Sequence, residues 1–253
     1  MEQLTIGIIG TGRMGTVIHS LFARQPQWPI KQASTTKPID HQRIFPLADI
    51  LTCDIVVLAV PISSLPEVLH NITPLVRDNH PLILDICSVK MQPKQWMEEI
   101  LPDTVDCVAS HPIFGPNSTK NGTSFDCLPW IFAPIRVKQQ KRFALLLQFL
   151  QQQGIATREM TAEEHDKIMS QSQAVSFLLG VVGQELQWKA GPFDTKGFSL
   201  LLENQRIVAS DSRQLAQDIL RLNPFAREMV LKVEHTLQKL ETELEKQNRD
   251  MLL

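Results

Sequence analysis

The chain has 253 residues, of which 43% are hydrophobic and 21% are charged, as is typical of a globular protein with a substantial core. Its formal net charge of −2 gives no electrostatic footprint for nucleic acid or for an anionic membrane. No apolar run approaches the ~20 residues that span a bilayer, and a first strand predicted from Leu4 leaves no room for a signal peptide. We therefore expect a cytoplasmic protein whose partner is a small molecule.

The cysteine spacing and the absence of tyrosine limit the reaction mechanisms and metal sites that the chain can form. The four cysteines are far apart and form no C-x-x-C pair: Cys53, Cys87, Cys107 and Cys127. This spacing favours free thiols over metal ligands or a disulfide framework, so no metal is expected. The chain has no tyrosine. A mechanism that depends on a catalytic tyrosine is therefore excluded.

The first 160 residues alternate short β-branched runs with helical patterns, which predicts a parallel sheet covered by helices. Strands are predicted at 4–9, 30–35, 55–60, 82–86, 107–110, 130–133 and 155–160. Helices are predicted at 14–24, 64–76, 94–101 and 138–153. The predicted fold class is α/β, with a Rossmann-type, doubly wound, mostly parallel sheet followed by an all-helical domain.

The pattern becomes wholly helical after residue 160. Thr161 and Glu164 match a capping box at the start of a helix. Helical periodicity then continues to the end of the chain, with a break at Gly191-Pro192. We therefore predict a dinucleotide-binding domain at 1–160 and a helical domain for substrate binding and dimerisation at 161–253.

A glycine-rich turn directly follows the first strand and opens the first helix. Its sequence is Gly10-Thr11-Gly12-Arg13-Met14-Gly15. In a dinucleotide-binding turn the first glycine permits a tight bend, the second lets the backbone approach the pyrophosphate, and the third allows close packing of helix and strand. The helix N-terminus then faces the phosphates. We assign these six residues, with Val60 and Pro61 after the third strand, to the cofactor site.

The end of the second strand indicates which cofactor binds. NAD enzymes usually carry an acid here for the ribose 2′-hydroxyl, whereas this chain has no acid before Asp40. Ser34, Thr35 and Lys37 offer hydrogen-bond donors instead, and Arg13 adds a second positive charge. The pattern favours NADP, with NAD as the alternative.

Two further segments follow predicted strands and carry candidate catalytic residues. One contains Ser88 and Lys90, and the other is His111-Pro112-Ile113-Phe114-Gly115. The carboxyl ends of parallel strands point into the binding crevice, and histidine suits acid–base work near neutral pH. We predict that His111 is the catalytic base and that Ser88 hydrogen-bonds the imidazole or a substrate hydroxyl. An ordinary turn and a hydrogen-bonded surface histidine are the alternatives.

The helical domain offers two candidate features for substrate binding. Polar and apolar residues recur at spacings of three and four, which predicts one face of a single helix: Asp166, Ser170, Gln173, Phe177 and Gly180. Arg206 is of the residue type that clamps a carboxylate with two hydrogen bonds.

Taken together, these motifs resemble the prephenate/arogenate dehydrogenases of tyrosine biosynthesis. The resemblance rests on the G-x-G-x-M-G turn, D-x-x-S-V-K from Asp85, H-P-I-F-G from His111, the His165-Asp166 helix and R-I-x-x-x-D from Arg206. It implies oxidative decarboxylation of a cyclohexadienyl substrate, with hydride transfer to NAD(P), in a homodimer formed through the helical domain.

The resemblance also implies roles for individual residues. His111 would take the proton of the ring hydroxyl, Ser88 would position that hydroxyl, and Arg206 would bind a substrate carboxylate. Gln173 and Phe177 would contact the substrate; many prephenate-using relatives have histidine where this chain has Phe177, so prephenate and arogenate both stay open. The alternatives are a two-domain dehydrogenase or reductase of the β-hydroxyacid or pyrroline-carboxylate type, and a non-catalytic NADP-binding sensor.

Overall fold

A computed structural model of the chain describes residues 2–34, 37–40, 42–77, 80–119 and 123–250, with side chains through residue 247. Its contacts divide the chain into two compact units, Met1–His165 and Asp166–Leu253. The first unit contains the sheet, and the described part of the second unit is helical. The assignment of separate roles to two domains stays a prediction.

The first unit is built on a seven-stranded sheet with the order β2-β1-β3-β4-β5-β6-β7. The strands are β1 (Ile6–Ile9), β2 (Ile30–Ala33), β3 (Ile55–Leu58), β4 (Leu82–Asp85), β5 (Cys107–Pro112), β6 (Pro129–Arg136) and β7 (Ala156–Glu159). Neighbouring strands are parallel except β5 and β6, which are antiparallel. The strand order reverses between β1 and β3, and α/β proteins bind ligands at the carboxyl ends of strands flanking such a point.

The helices of the first unit alternate with the strands. They are α1 (Arg13–Phe22), α2 (Leu47–Ile50), α3 (Leu65–Ile72), α4 (Met91–Ile100), α5 (Gln140–Gln152) and the first turn of α6 (Ala162–Gln171). The strands β1, β3 and β4 are buried along their whole length, as expected of parallel strands covered on both faces. Phe22 of α1 stacks on Phe149 of α5, with ring centroids 5.4 Å apart, within the hydrophobic core.

The second unit continues α6 and adds four helices in its described residues. They are α7 (Gln173–Glu185), α8 (Lys196–Ser210), α9 (Arg213–Leu222) and α10 (Ala226–Asp250). A Cβ at Gly180 of α7 would lie 2.5 Å from the side chain of Val208 on α8, so glycine is what allows the two helices to pack closely. In the part of the chain that the structure describes, no helix is long and apolar enough to cross a membrane.

The predicted fold class is confirmed, and the seven predicted strands are present with ends shifted by a few residues. The four predicted helices of the first unit are also present, and the short α-helix α2 was missed. The capping box is confirmed: the backbone N–H of Glu164 donates to Thr161 Oγ1 (3.1 Å), and the Thr161 N–H donates to Glu164 Oε2 (2.9 Å).

The prediction of a single uninterrupted helix from Asp166 to Gly180 was wrong. The helix is interrupted at Ser172, whose backbone has φ −123° and ψ −77° and leaves the helical region. The Ser172 hydroxyl donates to the carbonyl oxygen of Ile168 (3.0 Å), which satisfies one acceptor at the end of α6. Asp166 and Ser170 therefore belong to α6, whereas Gln173, which begins α7, belongs to a second helix.

Candidate active site

The glycine turn after β1 leaves no space for side chains at its first and third glycines. Gly10 has φ +125°, and a Cβ there would lie 2.0 Å from the carbonyl oxygen of Ala59. A Cβ at Gly15 would lie 2.2 Å from the carbonyl oxygen of Gly10. A Cβ at Gly12 would meet no atom within 4 Å among the described residues beyond its own chain neighbours. The turn is therefore closed against the protein at Gly10 and Gly15 and open to a ligand at Gly12, as a pyrophosphate site requires.

The N-terminus of α1 is suited to an anion. The helix begins at Arg13, has no acid in its first turn, and follows Gly12, which provides no side-chain cap. Its first N–H groups and the positive end of the helix dipole are thus available to a phosphate. Gln32 of β2 donates from Nε2 to the carbonyl oxygen of Gly10 (2.7 Å) and holds the turn against the sheet. These residues fit the pyrophosphate of a dinucleotide cofactor.

Ser34 links the glycine turn to the loop that follows β2. Its Oγ accepts hydrogen bonds from Thr11 Oγ1 (3.3 Å) and from the backbone N–H of Lys37 (2.9 Å). The side chains of Lys37 and Arg13 are exposed. Thr35, also predicted to bind the cofactor, lies outside the described residues.

Asp40, the first acid after β2, is engaged in its own turn. Its Oδ1 accepts the backbone N–H groups of Ile44 (2.8 Å), Arg43 (2.7 Å) and Gln42 (3.0 Å). These hydrogen bonds, that from Ile44 foremost, lower the pKa of the Asp40 carboxyl to about 2. The carboxylate of Asp40 therefore stabilises its loop.

A groove of about 820 Å³ opens beside the ends of β2 and β3. Three of the predicted cofactor residues line it, Ser34, Val60 and Pro61, and Glu67 of α3 lies on its wall. A groove at this point of a doubly wound sheet fits the adenosine half of a dinucleotide. Met14, by contrast, is half-buried against the hydrophobic core, so its side chain supports the turn from the protein side.

A buried ion pair joins the ends of β4 and β5. Lys90 Nζ donates to Oδ2 of Asp85 and to the carbonyl oxygen of Ser110, and all three residues are fully buried. Asp85 Oδ1 also accepts the backbone N–H of Ser110 (3.0 Å), and Trp130 Nε1 donates to Ser110 Oγ (3.0 Å). Each buried charge thus has a partner of opposite sign, as burial requires. The first and last residues of the D-x-x-S-V-K motif therefore fix the strand segment that carries His111.

His111 lies within β5, one residue before its end, although the predicted strand stopped at residue 110. The strand extends because β5 pairs with the antiparallel strand β6, where His111 is opposite Ile131. Since the parallel neighbour β4 ends at Asp85, the last residues of β5 project beyond it at the carboxyl edge of the sheet.

The His111 imidazole pairs with a second histidine. Its Nδ1 lies 2.9 Å from Nε2 of His165, and only 4% of His111 is exposed. Among the described residues, Nε2 of His111 has no hydrogen-bond partner. Burial, then the neighbouring His165 and Lys90, lower the pKa of His111 well below its usual 6.5. His111 is therefore neutral at pH 7.

Ser88 is half-buried in the segment after β4. The hydrogen-bond partner that the structure gives His111 is His165 and not Ser88, so the role of Ser88 stays a prediction. His165 was missed as a partner of His111 because the two lie 54 positions apart in the chain. The sequence signal that could have pointed to His165 is its position in the first turn of the helix, which the Thr161 capping box fixes.

The glycine turn and the segment after His111 are neighbours. Arg13 Nη2 donates to Asn117 Oδ1 (3.3 Å). That segment is folded on itself, since the Gly115 N–H donates to Ser118 Oγ (2.9 Å) and Thr119 Oγ1 donates to the Gly115 carbonyl (2.9 Å). The first unit thus brings the predicted cofactor turn and the predicted catalytic segment into contact.

The remaining predicted site residues belong to the second unit. Gln173 begins α7, and its buried Oε1 has no hydrogen-bond partner among the described residues. Phe177, one turn further along α7, is buried. Arg206 on α8 is exposed and forms no ion pair within the part of the chain that the structure describes.

The first unit is, by its fold and its glycine turn, a Rossmann-type dinucleotide-binding domain. The family model described as "Prephenate dehydrogenase, nucleotide-binding domain" matches residues 27–158, just over half of the chain. A second model, "TYRAAT1-like, C-terminal domain", matches residues 182–252. The chain belongs to the prephenate dehydrogenase family, which confirms the predicted resemblance and favours it over the hydroxyacid and pyrroline-carboxylate alternatives.

Individual relatives agree with this assignment. Arogenate dehydrogenase 1, chloroplastic, of Arabidopsis thaliana is 26% identical over 96% of this chain and 39% of its own length. Arogenate dehydrogenase 2, chloroplastic, of the same plant is 30% identical over 76% of this chain, and the chain spans 54% of its length. The crystal structure of prephenate dehydrogenase from Aquifex aeolicus with hydroxyphenyl propionate and NAD+ shares the fold, with a TM-score of 0.73, 17% identity, and coverage of 98% of this chain and 93% of that one.

Proposed function

We propose that the chain is a prephenate or arogenate dehydrogenase that oxidises and decarboxylates a cyclohexadienyl substrate. The observation that carries the proposal is His111, a buried neutral imidazole at the carboxyl edge of the sheet, whose segment contacts the glycine turn. A buried neutral base can act only on a bound ligand from which it removes a proton. Family membership supplies the substrate class.

The residues of the chain divide the reaction between them. When bound, a nicotinamide cofactor accepts hydride from the ring carbon that bears the hydroxyl. As carbonyl character develops at that carbon, Nε2 of His111 accepts the hydroxyl proton, and Ser88 is proposed to hydrogen-bond the same hydroxyl. The ring carboxylate leaves as carbon dioxide, its electron pair completes the aromatic ring, and His111 returns the proton to the phenolate oxygen. General base help of this kind contributes about 10²–10⁴ in rate.

NADP is the proposed cofactor. Ser34 lies at the end of β2 with Lys37 beside it, and Oδ1 of Asp40 accepts hydrogen bonds from the backbone of its own turn. A serine hydroxyl and an ammonium favour a 2′-phosphate, whereas the acid typical of NAD enzymes would repel it. Arg13 of the glycine turn contributes a second exposed cation.

Arogenate is the favoured substrate of the two. Within the described part of the chain, the buried acceptor Oε1 of Gln173 has no hydrogen-bond partner, and an unpaired buried acceptor costs about 1–3 kcal/mol. The ammonium group of arogenate would supply a donor, whereas the keto group of prephenate has none. Phe177 offers neither charge nor hydrogen bond to a pyruvyl group. Arg206, with no described ion pair, is proposed to bind a carboxylate of the substrate.

The substitution His111→Asn tests the proposed reaction. We expect turnover of the cyclohexadienyl substrate to fall by about 10²–10⁴-fold, because asparagine cannot accept the proton. The dissociation constant for NADP should stay within about twofold of the wild-type value, because the glycine turn is untouched. A non-catalytic sensor would show no change in either quantity, and this result would refute the proposal.

A homodimer through the second unit is the proposed assembly. The apolar residues of α10 recur at three and four, and the last three are exposed: Val230, Val233, Leu237, Leu240 and Leu244. The other side of α10 carries Lys239, which pairs with Glu243 on the same helix. A two-fold dimer would bury this exposed leucine stripe against the same stripe of a second copy.

Light scattering on the purified chain tests this assembly. We expect a dimer, and we expect Leu237→Glu combined with Leu240→Glu to give a monomer, because two carboxylates would be buried in the interface. The matched control places the same charges on the opposite side of α10, as His235→Glu with Thr242→Glu, and should remain dimeric. A monomeric wild-type chain would contradict the proposal.

A further inference from the structure

The histidine pair of the first unit is held together by two local devices. The capping box begins α6 so that the backbone N–H of His165 donates to the Thr161 carbonyl (3.0 Å). Small side chains let this helix start lie against the sheet, since Ala162 packs on Ala109 of β5 and Ala133 of β6. His165 is thereby placed over β5 with no exposed surface, and its ring meets His111 edge to face at a centroid distance of 5.1 Å.

The hydrogen bond between the two rings can carry its proton in two ways. If Nδ1 of His111 donates to Nε2 of His165, Nε2 of His111 is unprotonated and accepts a proton. If Nε2 of His165 donates instead, Nε2 of neutral His111 carries the hydrogen and cannot act as a base. An isolated histidine side chain favours the form with the hydrogen on Nε2, which is the inactive form here. The direction of this one hydrogen bond therefore decides whether His111 can do its work.

We propose that His165 is a positioning residue that accepts the Nδ1 proton of His111 and so keeps Nε2 of His111 free as the base. This inference rests on the proposed function. It is supported by the absence, among the described residues, of a protein partner for His111 Nε2. Lys90, whose charge acts on His111, donates to Asp85 and to the Ser110 carbonyl.

The arrangement differs in effect from a histidine paired with a carboxylate. A carboxylate partner would stabilise the protonated imidazole and raise the pKa of the base. A neutral imidazole accepts the same Nδ1 hydrogen bond without adding negative charge. His165 thus fixes the position of the proton while leaving His111 uncharged between turnovers. The hydrogen bond strengthens when His111 becomes cationic, because a charged donor makes the stronger bond.

Two substitutions separate the hydrogen bond from the space that the ring fills. A glutamine amide reaches about as far as histidine Nε2, so His165→Gln keeps an acceptor near His111 Nδ1. An asparagine amide reaches only as far as histidine Nδ1, so His165→Asn removes the acceptor. We expect kcat to stay within about fivefold of wild type in His165→Gln and to fall about 10- to 100-fold in His165→Asn, below the 10²–10⁴ that a general base contributes. KM should change less than threefold in both.

Nitrogen NMR of the imidazole rings tests the inference without any substrate. The chain has seven histidines, and His111→Asn identifies the signals of His111 by difference. In the wild-type protein at pH 7.5 we expect hydrogen on Nδ1 of His111 and a bare Nε2; in His165→Asn the hydrogen should move to Nε2. This readout holds whether or not the chain turns over prephenate or arogenate, so failure of the proposed function would be seen separately in the activity assay. Hydrogen on Nε2 of His111 in the wild-type protein, or equal kcat in the two variants, would overturn the inference.

Discussion

The substitution Gly12→Ala should weaken cofactor binding without weakening the fold. Gly12 has φ −71° and ψ −176°, which alanine adopts without strain, and its Cβ would be more than 4 Å from the described residues beyond its chain neighbours. Such a change stabilises a protein by about 0.4–1 kcal/mol, because the unfolded chain loses entropy. The new methyl group occupies the space through which a pyrophosphate approaches the backbone. We expect Gly12→Ala to fold at least as stably as wild type and to bind NADP at least tenfold more weakly, a loss of about 1.4 kcal/mol.

Urea unfolding and calorimetric titration with NADP measure these two effects, and two other glycines provide the controls. Gly10→Ala should lose more than about 2 kcal/mol of stability, because its Cβ would lie 2.0 Å from the Ala59 carbonyl at a positive φ. Gly197→Ala in α8, where the nearest atom is 4.0 Å from the Cβ, should leave NADP affinity unchanged. If Gly12→Ala bound NADP as tightly as wild type, the assignment of this turn to the pyrophosphate would be refuted.

Three further outcomes follow from the charges of the first unit. Lys90→Met should lower the free energy of unfolding in urea by about 3–5 kcal/mol, because it leaves the buried carboxylate of Asp85 without a partner charge. Lys94→Met removes one member of an exposed ion pair and should lower it by less than about 0.5 kcal/mol. Because the pKa of His111 is lowered on folding, the unfolded chain binds more protons than the folded chain below pH 6.5. The free energy of unfolding should therefore decrease as the pH is lowered below 6.5, by up to about 1.4 kcal/mol per pH unit. The decrease should be less steep in His111→Asn. Lys37→Ala should weaken NADP roughly 3- to 10-fold (about 0.7–1.4 kcal/mol) and NAD less than twofold; equal losses for both cofactors would argue against a 2′-phosphate contact.

The sheet was predictable because its strands are short apolar runs that alternate with helical patterns in the sequence. The run Ile55–Leu58 is buried at every position, and such a run between helical patterns is typical of a parallel strand. The helix α2 was missed because four residues, Leu47–Ile50, carry too little periodicity to signal a helix. The interruption at Ser172 was missed because serine is tolerated within helices, and its bond to the Ile168 carbonyl is visible only in three dimensions.

The candidate site was predictable as a set of residues but not as a set of contacts. The spacing of Gly10, Gly12 and Gly15 carries the physical requirements of the turn itself, so the three glycines could be assigned roles before the structure was known. The pairing of His111 with His165 depends on how α6 packs on the sheet, and local sequence contains no measure of that packing. The unpaired oxygen of Gln173 likewise becomes visible only when its neighbours are in place.

The central claim is that this chain oxidises and decarboxylates a cyclohexadienyl substrate. The most direct test follows the absorbance of reduced nicotinamide while the purified chain is offered prephenate or arogenate, each with NAD or NADP. We expect turnover, fastest for arogenate with NADP, and turnover with that pair alone would still support the proposed reaction. The absence of turnover in all four combinations, from a folded chain that still binds NADP, would contradict it.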